Sequence, residues 1–203
     1  MWGAEMASNS FVSWRDMTVL TFNGQFDTNI KTGEDYHCLK LGALFGLIPT
    51  SNPKARAPAF IPSIYTAFDA RVHAVQQAQG QFVALTGDID KGNVPIVDVI
   101  KLTRDLFGPT SAIFIYSTGS ATPDDKRWRI IVPLQEPVPF ERWNEAQEAF
   151  FTYMEGNGVL MDWSLARAGQ PVYLPNVPPK RRDDNGEPLF YESYADGNEG
   201  VPL

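Results

Sequence analysis

The period of the hydrophobic positions changes several times along the chain, and the changes divide it into elements. Ile64, Phe68, Val72 and Val75 recur three or four residues apart, the spacing of one helix face. Gly80 follows as a stop, so residues 62–79 are predicted to be a helix. Residues 81–90, QFVALTGDID, form an apolar run ending in two acids and read as a strand. Gly92-Asn93 is a turn signal, and Pro95 suits the first turn of a helix that runs to Phe107 and stops at Gly108. Residues 111–118, SAIFIYST, and 127–134, RWRIIVPL, are two further strands joined by the polar loop 119–125, the pattern of a hairpin. Phe140, Trp143, Phe150, Phe151 and Met154 mark an apolar stripe on a helix over 139–156, and QPVYLPN further on reads as a short strand. The first 35 residues read as irregular structure or short strands. Residues 50–62, punctuated by Pro53 and Pro58 and carrying Lys54 and Arg56, read as a basic loop. The segment from Asp183 onward has no periodicity.

The order strand–helix–strand–strand–helix–strand is that of the split βαβ fold, ferredoxin-like or RNA-recognition-motif-like. The expected fold class is therefore α+β: such a core over about 81–182, an N-terminal αβ module over about 1–80, and residues 183–203 as an acidic tail or linker. The chain has 203 residues, of which 43% are hydrophobic, a composition that packs a core and excludes long-range disorder. The longest apolar runs are far shorter than the roughly 20 residues a membrane helix needs, and the start lacks the pattern of a signal peptide. An intracellular, cytoplasmic location without a membrane partner is the expectation. A single cysteine, Cys38, excludes an internal disulfide, and only His37 and His73 are on hand for imidazole ligation. The net charge of −7 argues against a protein that coats nucleic acid non-specifically. Yet residues 183–203 contain six acids and no base, and without them the chain holds 17 basic against 18 acidic residues. The acidity lies mostly in the tail, and a local basic groove remains compatible with it.

Asp88 and Asp90, two apart on a strand, project to the same side. Like charges that close are costly unless a cation lies between them, and a hard cation such as Mg²⁺ takes oxygen ligands together with substrate phosphates. Asp162, after apolar Val159–Met161, offers a third carboxylate. Ser117, Thr118, Gly119 and Ser120 end the next strand, and their hydroxyls and backbone N–H groups suit phosphate. Lys126, Arg127 and Arg129 lie in or beside the hairpin and suit a triphosphate or a nucleic-acid backbone. Taken singly, each feature has a plainer reading: a solvated strand end, a serine-rich turn, an Arg-Trp-Arg anchored by Trp128 in the core, a helix cap at Asp162. In combination they point to a metal–phosphate site.

The apolar strand with GDID, the strand ending YSTGS, then KRWRIIVPL, and MD followed by Arg167 and QPVYLPN together resemble the archaeo-eukaryotic primase superfamily. The nearest branch is the primase-polymerases of phages, plasmids and integrated elements, and the resemblance covers about residues 55–180. It implies that Asp88, Asp90 and Asp162 are catalytic and hold two Mg²⁺ or Mn²⁺ ions. It also implies that Ser117, Thr118, Ser120, Lys126, Arg127, Arg129 and Arg167 bind the nucleotide. The implied activity is template-dependent nucleotidyl transfer, as DNA polymerase or DNA primase, in replication of a phage or mobile element within the host cytoplasm. The implied partners are a DNA template and primer, dNTP or NTP, and a helicase domain or protein. In that family the second motif is Ser-x-His; here Ser117-Thr118-Gly119 puts glycine at the histidine position. Gln170 is a further candidate for positioning nucleotide or template, and Trp163 and Tyr173 for stacking on a base.

Two other readings stand beside it. A non-catalytic nucleic-acid-binding module on the same fold fits the missing histidine, but has no need of three acids facing an anionic ligand. A haloacid-dehalogenase-type phosphotransferase also opens with Asp-x-Asp after a strand, but here Gly92 replaces the usual threonine and Asp124-Asp125 is poorly placed. A calcium loop counted from Asp88 would put Asn93 and Val99 where glycine and glutamate belong, and the His-x-His of a relaxase is absent.

Overall fold

A computed structural model describes residues 12–24 and 29–203; the expectations for residues 1–11 and 25–28 lie outside the described residues. In chain order the elements are β1 Thr18–Asn23, β2 His37–Lys40, α1 Leu41–Leu44, β3 Pro58–Ile61, α2 His73–Gln79, β4 Gln81–Ile89, α3 Ile96–Phe107, β5 Ile113–Ser117, β6 Trp128–Pro139, α4 Phe140–Gly156, β7 Val172–Tyr173 and β8 Ser193–Asp196. They build an α+β protein with two four-stranded antiparallel sheets, ordered β2-β1-β3-β7 and β4-β6-β5-β8. In the second sheet β6 lies antiparallel between β4 and β5, so β4–α3–β5 is a split βαβ unit, as the pattern predicts.

Every residue of β4 after Gln81 is buried, because both faces of its sheet are covered. On one face lie α3 and α4: Phe107 and Phe150 meet with ring centroids 5.2 Å apart, and a Cβ at Gly87 would stand 2.8 Å from Met161 Cε and 3.3 Å from Phe150. On the other face Phe114 packs 5.6 Å from Phe45, which itself lies 5.0 Å from Trp14. The second sheet is therefore sandwiched between helices and the N-terminal lobe. Leu20, Phe22, Tyr36 and Ile61 form a smaller separate core in that lobe.

Four expectations are corrected. The helix over 62–79 shrinks to α2. The Ile64 N–H donates to Gln81 O (2.9 Å) and the Val83 N–H to Pro62 O (2.9 Å), which holds residues 62–64 extended beside β4 and leaves Ile64 and Phe68 more than a third exposed. The loop over 50–62 contains β3, paired with β1 and β7. The short strand in QPVYLPN, β7, does not return to β4; it joins the N-terminal sheet. The segment after Asp183 is no free tail: β8 pairs with β5 from Ile113↔Asp196 to Tyr116↔Ser193. Trp14 Nε1 also donates to Asn198 O at 3.0 Å.

Side chains explain why, among the described residues, no strand continues along the outer edge of β4, opposite β6, past Val83. The Trp143 indole donates to Ala84 O (2.9 Å), and the Gln147 amide both accepts from the Thr86 N–H (3.0 Å) and donates to Thr86 O. The Asp162 N–H donates to Asp88 O at 2.9 Å. Buried backbone groups need partners, and α4 with the segment after it supplies them in place of a ladder. Gln147 occupies the apolar stripe of α4 for this reason.

Candidate metal and phosphate site

Asp88 and Asp90 arise at the end of β4, where the turn at Gly92 (φ 98°) and Asn93 (φ 48°) reverses the chain. The bond from the Asp162 N–H to Asp88 O brings Asp162 to the same place, at the head of a 3₁₀ turn over Trp163–Ala166. One carboxylate oxygen from each of the three lies within 4.8 Å of the others. Their surroundings differ. Asp88 is 6% exposed, and its Oδ2 accepts from Arg129 Nη2 at 2.8 Å. Its Oδ1 is buried with no hydrogen-bond partner among the described residues. Burial raises the Asp88 pKa, against the pull of Arg129, and Asp90 and Asp162 add to the rise. Burial by itself would lower the Arg129 pKa, but Asp88, Tyr116 and Asp90 outweigh it and hold the guanidinium charged. Asp162 caps its turn: Oδ1 accepts from the Ser164 N–H (2.9 Å) and Oδ2 from the Ser164 hydroxyl (2.8 Å). Asp90 is half exposed, 3.9 Å from Arg127, whose guanidinium is bound more closely by Asp125 at 2.7 Å.

The acids open into a cleft of about 460 Å³, within the range of small-molecule sites. Thr118, Gly119 and Ser120 form one wall, with the two hydroxyls 3.2 Å apart. Arg127, Gln170 and Tyr173 also face it. Arg129 lies at its floor, spent on Asp88 and on Tyr173, whose carbonyl it reaches at 3.3 Å and whose ring centroid lies 5.3 Å from the guanidinium carbon. The remaining sequence candidates are elsewhere. The Ser117 hydroxyl is buried and accepts from the Glu192 N–H at 3.2 Å, so it serves the β8 segment. Lys126 and Arg167 do not line the cleft. Trp163 packs edge-on against Phe151 at 5.4 Å and donates to Glu155. Asp125 pairs with Arg127 outside the lining.

Lys54, from the basic loop over 50–62, and Lys180 and Arg181, from the basic run 180–182 that the sequence offers to a phosphate backbone, also line the cleft. Lys54 lies more than a hundred residues before Lys180 and Arg181 in the chain, and the N-terminal sheet brings the two segments together. The glycine at the histidine position also has a geometric cause: a Cβ on Gly119 would fall 2.6 Å from the Asn176 carbonyl oxygen and 3.2 Å from Pro178 Cδ. Residues 175–178 occupy the space that a side chain would need.

No family model matches the chain. It is 28% identical over 109 residues to the E3 ubiquitin-protein ligase listerin of Neurospora crassa, a match covering 49% of this chain and 7% of that protein. The chain thus spans a small fraction of the curated relative it matches. Among the described residues no helix is long and apolar enough to cross a membrane.

Proposed function

We propose that this chain is the catalytic part of a primase-polymerase of the archaeo-eukaryotic primase superfamily, which transfers nucleotides onto a DNA 3′-end under a template. The observation that carries the reading is the convergence of Asp88, Asp90 and Asp162, one oxygen of each within 4.8 Å of the others, with the buried Asp88 Oδ1 lacking a hydrogen-bond partner among the described residues. An all-oxygen donor set with an unused buried oxygen fits a hard divalent cation, Mg²⁺ or Mn²⁺. When bound, such ions supply Lewis-acid activation of a hydroxyl nucleophile and neutralise charge on the leaving pyrophosphate.

The chain's own residues prepare that chemistry. Arg129 favours the ionised form of Asp88 against burial, and Ser164 orients Asp162 through two hydrogen bonds. The hydroxyls of Thr118 and Ser120 and the Arg127 guanidinium face the same cleft and offer donors to phosphate oxygens. Placement in phage or mobile-element replication, and a helicase as partner, rest on the resemblance alone.

Extension of a labelled primer on a DNA template, with Mn²⁺ and either dNTPs or NTPs, tests the reading. Wild type extends the primer, and Asp90→Asn reduces extension by at least about a hundredfold, the scale of losing a principal electrostatic contribution to a transition state. Wild type that binds DNA without extending it under any of these conditions, and binds it more tightly as Asp90→Asn, establishes instead a non-catalytic binding module.

A further inference from the structure

A triphosphate entering the cleft would meet carboxylates on its floor and needs cations elsewhere to balance its charge. Arg129 is committed to Asp88, Arg127 is shared with Asp125 and Asp90, and a side chain at position 119 would collide with the Asn176 carbonyl. Lys54, Lys180 and Arg181 face the same space. Among the described residues none of these three has an acidic partner within salt-bridge distance, whereas Arg104, Arg127, Arg129 and Lys101 each have one. Cations that stay unpaired around a cleft are suited to an anion supplied from outside.

The backbone under the three is firmly braced. Asn176 Oδ1 accepts from the Thr50 hydroxyl (2.9 Å) and the Asn52 N–H (2.9 Å), and its Nδ2 donates to Asn52 O (3.0 Å). The Val177 N–H donates to Thr50 O at 2.9 Å. The Arg182 guanidinium donates to the carbonyls of Val177, Gly186, Pro49 and Thr50 at 2.6–3.1 Å. The strap 175–182 is thus latched to the loop 49–54, and the latch holds Lys180 and Arg181 to the same cleft that Lys54 lines. The same strap blocks a side chain at position 119, so one structural element both excludes a histidine there and delivers replacement cations.

We propose that Lys54, Lys180 and Arg181 form a cationic clamp for the phosphates of a nucleoside triphosphate, doing the work that a side chain at position 119 cannot do. The assignment rests on the polymerase reading for the identity of the ligand. The shared chemistry is a phosphate oxyanion, which an incoming nucleotide or a DNA strand can supply. The size of the cleft, about 460 Å³, favours the nucleotide.

Two binding titrations separate the sources: a fluorescent dNTP analogue with and without Mg²⁺, and a labelled single-stranded oligonucleotide, each on wild type, Lys54→Gln and Lys180→Gln/Arg181→Gln. The expected result is nucleotide affinity about tenfold weaker for each variant, the scale of a charge-assisted hydrogen bond, with inorganic tripolyphosphate competing and oligonucleotide affinity unchanged. Lys54→Arg, which keeps the charge, stays within about threefold of wild type. In primer extension the same variants raise the nucleotide KM more than they lower kcat. Unchanged nucleotide affinity in Lys54→Gln and the double variant overturns the clamp, as does a loss confined to the oligonucleotide. If wild type extends primers and the variants keep a normal nucleotide KM, the clamp falls and the polymerase stands. If wild type binds nucleotide through these residues but never extends a primer, the polymerase falls and the clamp stands.

Discussion

Arg129→Met tests the electrostatics of the cleft floor. The substitution keeps most of the apolar stem and removes the one cation paired with Asp88 at 2.8 Å, where the two side chains are 13% and 9% exposed. Two unit charges about 4 Å apart attract by about 4 kcal/mol at an effective dielectric constant of about 20. Deleting one partner of a buried pair costs about 3–5 kcal/mol, because the survivor stays uncompensated. The donation from Arg129 to Tyr173 O, 3.3 Å long, goes with it. A loss of about 4 kcal/mol at pH 7 is expected, or about 10 °C in melting temperature for a chain of this size. The pH dependence carries a sign. Burial already holds the Asp88 pKa above its usual value, and without Arg129 it climbs further. Below that raised value the folded variant holds a proton that the unfolded chain releases, so its stability rises as pH falls through the raised value toward the ordinary carboxylate range. Adding Asp88→Asn to Arg129→Met removes the buried charge and recovers most of the loss, a coupling that a double-mutant cycle isolates. Urea unfolding at pH 5, 6 and 7 reads all of this. A variant within about 1 kcal/mol of wild type at pH 7, or one whose deficit grows on acidification from pH 7 to 5, would refute the reasoning.

Three further outcomes are expected. Asp162→Asn retains the cap on Ser164, since asparagine caps as well as aspartate, so stability without metal stays within about 1 kcal/mol of wild type; the stabilisation by excess Mn²⁺, about 2.7 kcal/mol at a hundred times Kd, is largely lost, as thermal unfolding with and without Mn²⁺ will read. Gly119→Ala puts a methyl 2.6 Å from the Asn176 carbonyl oxygen and costs about 1–3 kcal/mol through overpacking, whereas Gly156→Ala, with nothing within 4 Å, is neutral or slightly stabilising by urea unfolding. Truncation before Ser193 strips β8 from β5 and removes Val201 from the core; an uncovered edge beside Phe114 and Tyr116 costs at least about 3 kcal/mol and promotes association, visible as loss of soluble yield and of a cooperative melt.

Much of the helix-backed sheet was legible in the sequence because its signals are local. The run QFVALTGDI, Pro95 before a helix and Gly108 after it, and the stripe through Trp143, Phe150 and Met154 each state their element within a dozen residues. So does the pairing of Asp88 with Asp90, because side chains alternate along a strand. The apolar period from Ile64 to Val75 misled, because backbone pairing of residues 62–64 with β4 overrides a helical preference. The tail misled in the other direction, since β8 has no alternating pattern and is held by an edge that β5 presents.

The sequence by itself determined that Asp88 and Asp90 share one strand end beside a turn, because this follows from local period and turn chemistry; the arrival of Asp162 beside them depends on the bond from its N–H to Asp88 O. Only the tertiary structure decided what surrounds them. It buries Asp88 against Arg129, hands Ser117 to the β8 segment, closes position 119 with the strap over 175–178, and brings Lys54 to the cleft that Lys180 and Arg181 also line. Each brings together residues more than forty positions apart, set by the packing of two sheets, and no short-range pattern encodes it.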